Sequence, residues 1–440
     1  MAYTTPTPLH EPYCQWVRKP LSRSDFIEGL ARLAASGLVE LTDVVESIHR
    51  EVVVMPFAGH LPILEELWDR GISGKVYKLV KSIMSYSGHG TATALRTLNQ
   101  RLDQYERGAS LPKSLKVLNN AINGVMGDHL IYMNNPLALS MLLYDRYGNL
   151  HSETRLKGRV LIMVHGLCMS YHSWNPGTGR GMGEHIVYAE PDTTILYLDY
   201  NTGRRISQNG RSLTELLVEL TEKNPEITQI DFVCHSMGGL VTRSAMFYAK
   251  QDGHAWMGLV KNLICLASPH HGAVLERFGF FIQDTLSKIP IARNLAIMGD
   301  LRSAGIIDLR HGSVRDDDWE YLEGRMGMLD DLRRPAPLPA NIHCYLVAAT
   351  LDKSPSTSSR DIIGDGLVSI KSALGEHPGD HNLNVPEAHK AVFYGVNHME
   401  VQHHPRVRDQ VIRWLGQSKG DGSSLGQRII SISDEMLSVA

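Results

Sequence analysis

A serine hydroxyl attacks a carbonyl carbon only when a base takes its proton and a carboxylate steadies that base. The segment 230–240 reads Ile-Asp-Phe-Val-Cys-His-Ser-Met-Gly-Gly-Leu. An apolar run therefore meets a tight turn at Ser236, and a helix starts directly after it. Such a turn lifts the hydroxyl above the end of a sheet, and small neighbours let strand and helix approach closely. The spacing usually written G-x-S-x-G appears as Cys234-His235-Ser236-Met237-Gly238, with cysteine in the first glycine position. A chance serine in a small-residue turn is the alternative. The flanking strand and helix patterns argue for the elbow.

The base should follow the last strand. Residues 391–398 read Ala-Val-Phe-Tyr-Gly-Val-Asn-His, which places His398 in a strand-end loop before a final helix. His389, His403 and His404 compete nearby, but only His398 has both that position and the chain order serine, acid, histidine. Two carboxylates are candidates for the third role, Asp352 in Ala-Thr-Leu-Asp and Asp365 in Gly-Asp-Gly-Leu-Val-Ser. The residues alone leave both open. The developing oxyanion needs backbone donors. One is expected from Met237, after the nucleophile, and one from Leu167 in His165-Gly166-Leu167, after the strand Val160–Val164.

The elements that must position these groups change character near residue 140. Residues 1–140 are read as a helical accessory region after a proline-rich arm. Phe26, Leu30, Leu33, Leu41, Val44, Val45 and Ile48 recur at helical spacing, and Val76, Leu79, Val80 and Ile83 repeat the pattern. Packing on a neighbouring domain is the expected role, with a membrane surface as the alternative. Residues 141–418 alternate strands and helices. A hairpin is expected around Gly148-Asn149, between 141–147 and 150–156. Short apolar runs follow at 160–164, 194–198, 230–234, 263–267, 342–348 and 391–394, with helices such as 213–223 and 239–251 between them. Buried strands separated by helices predict an α/β fold, its mostly parallel sheet covered on both faces. Residues 272–339 form a long apolar insertion, expected to cap the site, with Asp316-Asp317-Asp318 read as a solvated run. A helix at 406–415 should end the fold, and 419–440 is read as a tail.

Composition excludes some partners. Lysine plus arginine (44) nearly balances aspartate plus glutamate (47), so no electrostatic case exists for nucleic acid. No apolar leader opens the chain and no run of eighteen apolar residues occurs, while the five cysteines lack CxxC pairs. A cytoplasmic, reducing setting is the expectation.

With these pieces together, the chain resembles the lipase and esterase branch of the α/β-hydrolases. Bacterial triacylglycerol lipases are similar in Val164-His165-Gly166-Leu167, His235-Ser236-Met237-Gly238-Gly239, Asp365-Gly366-Leu367-Val368-Ser369 and Asn397-His398. GPI inositol-deacylase-like hydrolases are similar at the elbow and at Ser268-Pro269-His270-His271-Gly272, a strand-end segment expected to shape the pocket wall. The resemblance covers roughly 140–418. It implies an α/β-hydrolase fold with a catalytic set of Ser236, Asp365 and His398, and oxyanion donors at Leu167 and Met237. The lipases carry calcium near the catalytic histidine. Here Glu400 could serve, but His404 stands where another oxygen ligand is expected, so no metal and no cofactor is expected. The implied activity is cleavage of carboxylic esters, of lipids or small molecules, through an acyl-enzyme, with peripheral membrane contact left open. A thioesterase, amidase or acyltransferase using the same three residues, or a silent scaffold, are the alternatives.

Overall fold

The computed structural model describes residues 20–35, 111–151, 155–175, 179–273, 303–320, 333–354 and 364–417. Seven strands form one sheet: β1 (Leu142–Asp145), β2 (Gly158–Val164), β3 (Thr193–Asp199), β4 (Ile227–His235), β5 (Val260–Leu266), β6 (His343–Thr350) and β7 (Lys390–Tyr394). Their spatial order is β1-β3-β2-β4-β5-β6-β7, and only β1 runs antiparallel, against β3. The remaining neighbours are parallel. The six apolar runs read from the sequence are β2 to β7, with shifted ends. This is the α/β-hydrolase fold. The expected hairpin is present at its turn, where the Asp145 amide donates to the Asn149 carbonyl and the His151 amide to the Leu143 carbonyl, while 152–154 lie outside the described residues. A single bridge joins Tyr144 to Leu150, and Asp145 closes the turn through Tyr147 and Asn149.

Nine helices are named among the described residues: α1 (Arg23–Ala35), α2 (Lys113–Tyr132), α3 (Met182–Ala189), α4 (Ile206–Lys223), α5 (Met237–Gln251), α6 (Ala304–His311), α7 (Asp316–Glu320), α8 (Ile370–Ala373) and α9 (Pro405–Gln417). Alternation along each strand sorts the core into two layers, because successive side chains leave opposite faces. Val160, Ile162, Val164, Phe232 and Cys234 join one buried cluster with α2, α4 and α5. Leu161, Met163, Val233 and Ile264 join the other, with α3 and with Trp414 and Leu415 of α9. Cys234, Cys265 and Cys344 are buried free thiols of the first layer and act there as small hydrophobes.

The N-terminal helices described here are part of this core. Phe26, Leu30 and Leu33 of α1 pack in the same cluster as Leu115, Leu118 and Ile122 of α2. The later helical patterns at 41–48 and 76–83, and the tail after 417, lie outside the described residues, as do 274–302 and 321–332 of the insertion. What is described of the insertion corrects one expectation. Asp318 is 1% exposed rather than solvated, because its carboxylate accepts from the amides of Val314, Arg315 and Arg334. Asp316 and Asp317 pair with Arg211 and Arg315. Arg211 from α4 and the neighbouring Arg315 pair with this acidic run. None of the described helices is long and apolar enough to cross a membrane.

Candidate active site

β4 ends at His235, and Ser236 takes φ 53°, ψ −123° before α5 begins at Met237. A side-chain residue held at positive φ stores strain that the surroundings must enforce. Here they do. The Ser236 amide donates to Leu266 of β5 (2.9 Å), and α5 crosses so near β2 that a Cβ on Gly238 would lie 2.6 Å from the Val164 carbonyl oxygen. Cys234 occupies the first glycine position without conflict, its thiol 3.2 Å from the Thr242 hydroxyl.

The acid lies in the turn 364–368. Gly366 has φ 100°, a conformation that favours glycine, and the turn closes through the Asp365 amide onto the Val368 carbonyl. One Asp365 oxygen accepts the amides of Leu367 and Val368 (2.9 and 2.8 Å), and the other meets His398 Nδ1 at 2.7 Å. The His398 amide also donates to the Asp365 carbonyl (3.0 Å). Both groups are buried, at 2% and 4% exposure, so this pair is protected from solvent screening. Asp352 sits instead at the end of β6, where its amide meets the Thr350 hydroxyl and its carbonyl accepts from Gly395. Of the two open candidates, Asp365 therefore holds the Nδ1 bond. The competing His389 contacts the Cys344 carbonyl through its Nδ1.

A link that the sequence did not disclose ties His398 to the elbow. His235 donates from Nε2 to the His398 carbonyl (2.9 Å), and the two rings lie 4.8 Å apart. Burial, and next the proximity of His398, hold the His235 imidazole well below its ordinary pKa, so it stays neutral. The residue preceding Ser236 thus anchors the His398 loop. Only its place inside the elbow motif could have drawn notice to it.

The loop after β2 passes beside Ser236. Among the described residues the N–H groups of Leu167 and Met237 have no hydrogen-bond partner, and both residues are buried. His165 contacts the Gly166 carbonyl (2.9 Å) and Asp199 (3.2 Å), while Tyr200 donates to the His165 carbonyl. Cys168, at φ 59°, hands its amide to the Thr202 hydroxyl and packs against Gly124 of α2. Helix α2 therefore supports this loop, a contribution outside the motifs read from the sequence. Glu400, the calcium candidate, uses its carboxylate to accept the Asn397 amide. Among the described residues no cluster of three histidine, cysteine or acidic side chains could hold a metal ion.

Sheet order and elbow give the chain the α/β-hydrolase fold. Within that class, the family model described as PGAP1-like alpha/beta domain matches residues 155–345. Similar solved structures include a Bacillus licheniformis lipase in mature form, with 16% identity over 62% of this chain and 98% of that one, at a TM-score of 0.38. A Pyrococcus furiosus esterase shares 12% identity over 63% and 89%, at 0.35. An Aspergillus fumigatus lipase B shares 13% over 58% and 52%, at 0.33. Likeness at these scores says nothing about chemistry. No curated protein matches the chain.

Proposed function

We propose that this protein hydrolyses carboxylic esters, lipid or small-molecule, through an acyl-enzyme on Ser236. The observation that carries the reading is the buried 2.7 Å bond between Asp365 and His398, anchored beside a serine in strained elbow geometry. Nδ1 of His398 meets Asp365, and its Nε2 accepts the Ser236 proton as Oγ attacks the ester carbonyl. Asp365 fixes the tautomer and stabilises the imidazolium. The amides of Leu167 and Met237, without a partner among the described residues, then receive the oxyanion. His398 returns the proton to the leaving alcohol. It next takes a proton from water, which attacks the acyl-enzyme and frees the acid and Ser236.

Ser236→Ala should lower turnover of p-nitrophenyl esters by at least about 10³-fold with the fold intact. Retained turnover would discard the assignment. Matched ester, thioester and amide substrates would show which bond is preferred.

A further inference from the structure

The imidazole that follows β2 is tied into the loop it precedes. His165 is fully buried, and both its ring nitrogens are engaged. Nδ1 lies 2.9 Å from the carbonyl oxygen of Gly166, and Nε2 lies 3.2 Å from Oδ1 of Asp199, the last residue of β3. Carbonyl and carboxylate oxygens only accept. The ring satisfies both with a proton on each nitrogen, which makes the Asp199 contact a buried ion pair. A second acid–histidine pair therefore stands at this end of the sheet, built on β2 and β3, where Asp365 and His398 follow β6 and β7.

The pair is held from several sides. Tyr200 stacks on the His165 ring, with centroids 4.6 Å apart, and donates to the His165 carbonyl (2.9 Å). The same Asp199 oxygen accepts the Tyr171 amide (3.3 Å). Lys116 of α2 is near enough to feel its charge: burial lowers the lysine pKa, and Asp199 pulls it back up. The Gly166–Leu167 peptide is trans, so its C=O and N–H point in opposite directions. Whatever holds the oxygen therefore aims the N–H. Two donors hold it, His165 Nδ1 at 2.9 Å and the Met169 amide at 3.3 Å, and the imidazole is the closer. The Leu167 N–H at the far side of that plane has no partner among the described residues. Its loop also presses on the nucleophile, since a Cβ on Gly166 would lie 2.9 Å from Cβ of Ser236.

We infer that His165 and Asp199 are positioning residues for the oxyanion donor. His165 Nδ1–H fixes the plane of the Gly166–Leu167 peptide, and Asp199 fixes the ring through Nε2. The inference rests on the hydrolytic reading above, which gives the Leu167 N–H its task. Neither side chain has to touch substrate. The pair keeps the N–H aimed before charge develops on the carbonyl oxygen, so its effect falls on the transition state and spares ground-state binding.

The test combines ester kinetics on the full chain with the affinity of an alkyl trifluoromethyl ketone, whose adduct with Ser236 carries an oxyanion. His165→Leu should lower kcat for p-nitrophenyl butyrate by about 10–10²-fold with KM within about twofold, and weaken the ketone by the same factor. Asp199→Asn keeps the size and loses the ion pair, and should show the same split at about tenfold. His165→Asn, whose carboxamide N–H can stand in for Nδ1–H, should regain most of the lost kcat. In ¹⁵N spectra of the histidine-labelled native chain, the His165 signals, assigned by their absence from His165→Leu, should show a proton on Nδ1. Native kcat in folded Asp199→Asn and His165→Leu, a fall in kcat without weaker ketone binding, or a bare Nδ1 overturns this inference and leaves the hydrolytic reading standing. Absence of Ser236-dependent turnover in the native chain overturns both. Should His165→Leu not fold, Asp199→Asn decides alone.

Discussion

Helix α2 lies outside the family match, yet it presses on the loop that carries Leu167, and Gly124 is where the pressure can be raised. A Cβ on Gly124 would lie 2.2 Å from the Cys168 sulfur, 2.9 Å from its Cα and 3.0 Å from its nitrogen. The sulfur can turn aside. The backbone atoms cannot, and against an ordinary contact of 3.4 Å the Cα falls short by about half an ångström. Gly124→Ala should therefore push the Leu167–Cys168 peptide outward by roughly that amount. Overpacking of this kind costs about 1–3 kcal/mol. Losing an oxyanion donor outright costs about 10²–10³ in rate, and misplacing one by a fraction of an ångström should cost about 10–10². Steady-state hydrolysis of p-nitrophenyl butyrate should show kcat reduced in that range with KM within about twofold, since ground-state binding is spared. Cys168→Gly removes the sulfur at a position already at φ 59°, so the double variant should recover part of the loss. A folded Gly124→Ala enzyme with native kcat would refute the claim that α2 positions the oxyanion loop.

Other expectations follow from the same geometry. Asp365→Asn should lower kcat by about 10³–10⁴-fold, while Asp352→Asn stays within a few-fold, as read from the same ester assay. His235→Leu leaves the His398 carbonyl without its 2.9 Å donor; Tm should fall by several degrees and kcat by about tenfold, both measurable on the purified variant. Acid should destabilise the fold through its buried neutral histidines. His172 and His271 are pulled down to about 4 and His235 and His270 lie well below their ordinary value, all mainly by burial. The unfolded chain therefore binds more protons, and their stabilising contribution, complete above about pH 6.5, is lost as pH falls toward 4. Asp308, raised to about 6 by burial, and Asp128, also raised by burial, oppose this. Melting curves at pH 7.5, 6 and 5 should show falling Tm; a constant Tm would contradict the sign.

The sheet was legible because parallel strands buried on both faces leave uninterrupted apolar runs, as in Val160–Val164, where every residue is 0% exposed. Ser236 and His398 could be nominated from the local chemistry of their turns, whereas Asp365 was preferred to Asp352 only through the family resemblance. Hidden were the features made by distant partners. Nothing local distinguishes Asp318 from a solvated acid until the amides of Val314 and Arg334 close on it. The Arg243–His270 contact joins residues 27 apart, and the role of α2 depends on a helix meeting a loop more than forty residues later. The pairing of β1 with β3 was hidden in the same way, while across its own turn β1 also meets Leu150.

The central claim is that Ser236 carries an activated hydroxyl. Treatment of the native chain with a fluorophosphonate, followed by peptide mass spectrometry, tests it directly. The account predicts one adduct on Ser236, formed far more slowly in His398→Ala. An unlabelled Ser236 in active protein, or labelling indifferent to His398, would contradict it.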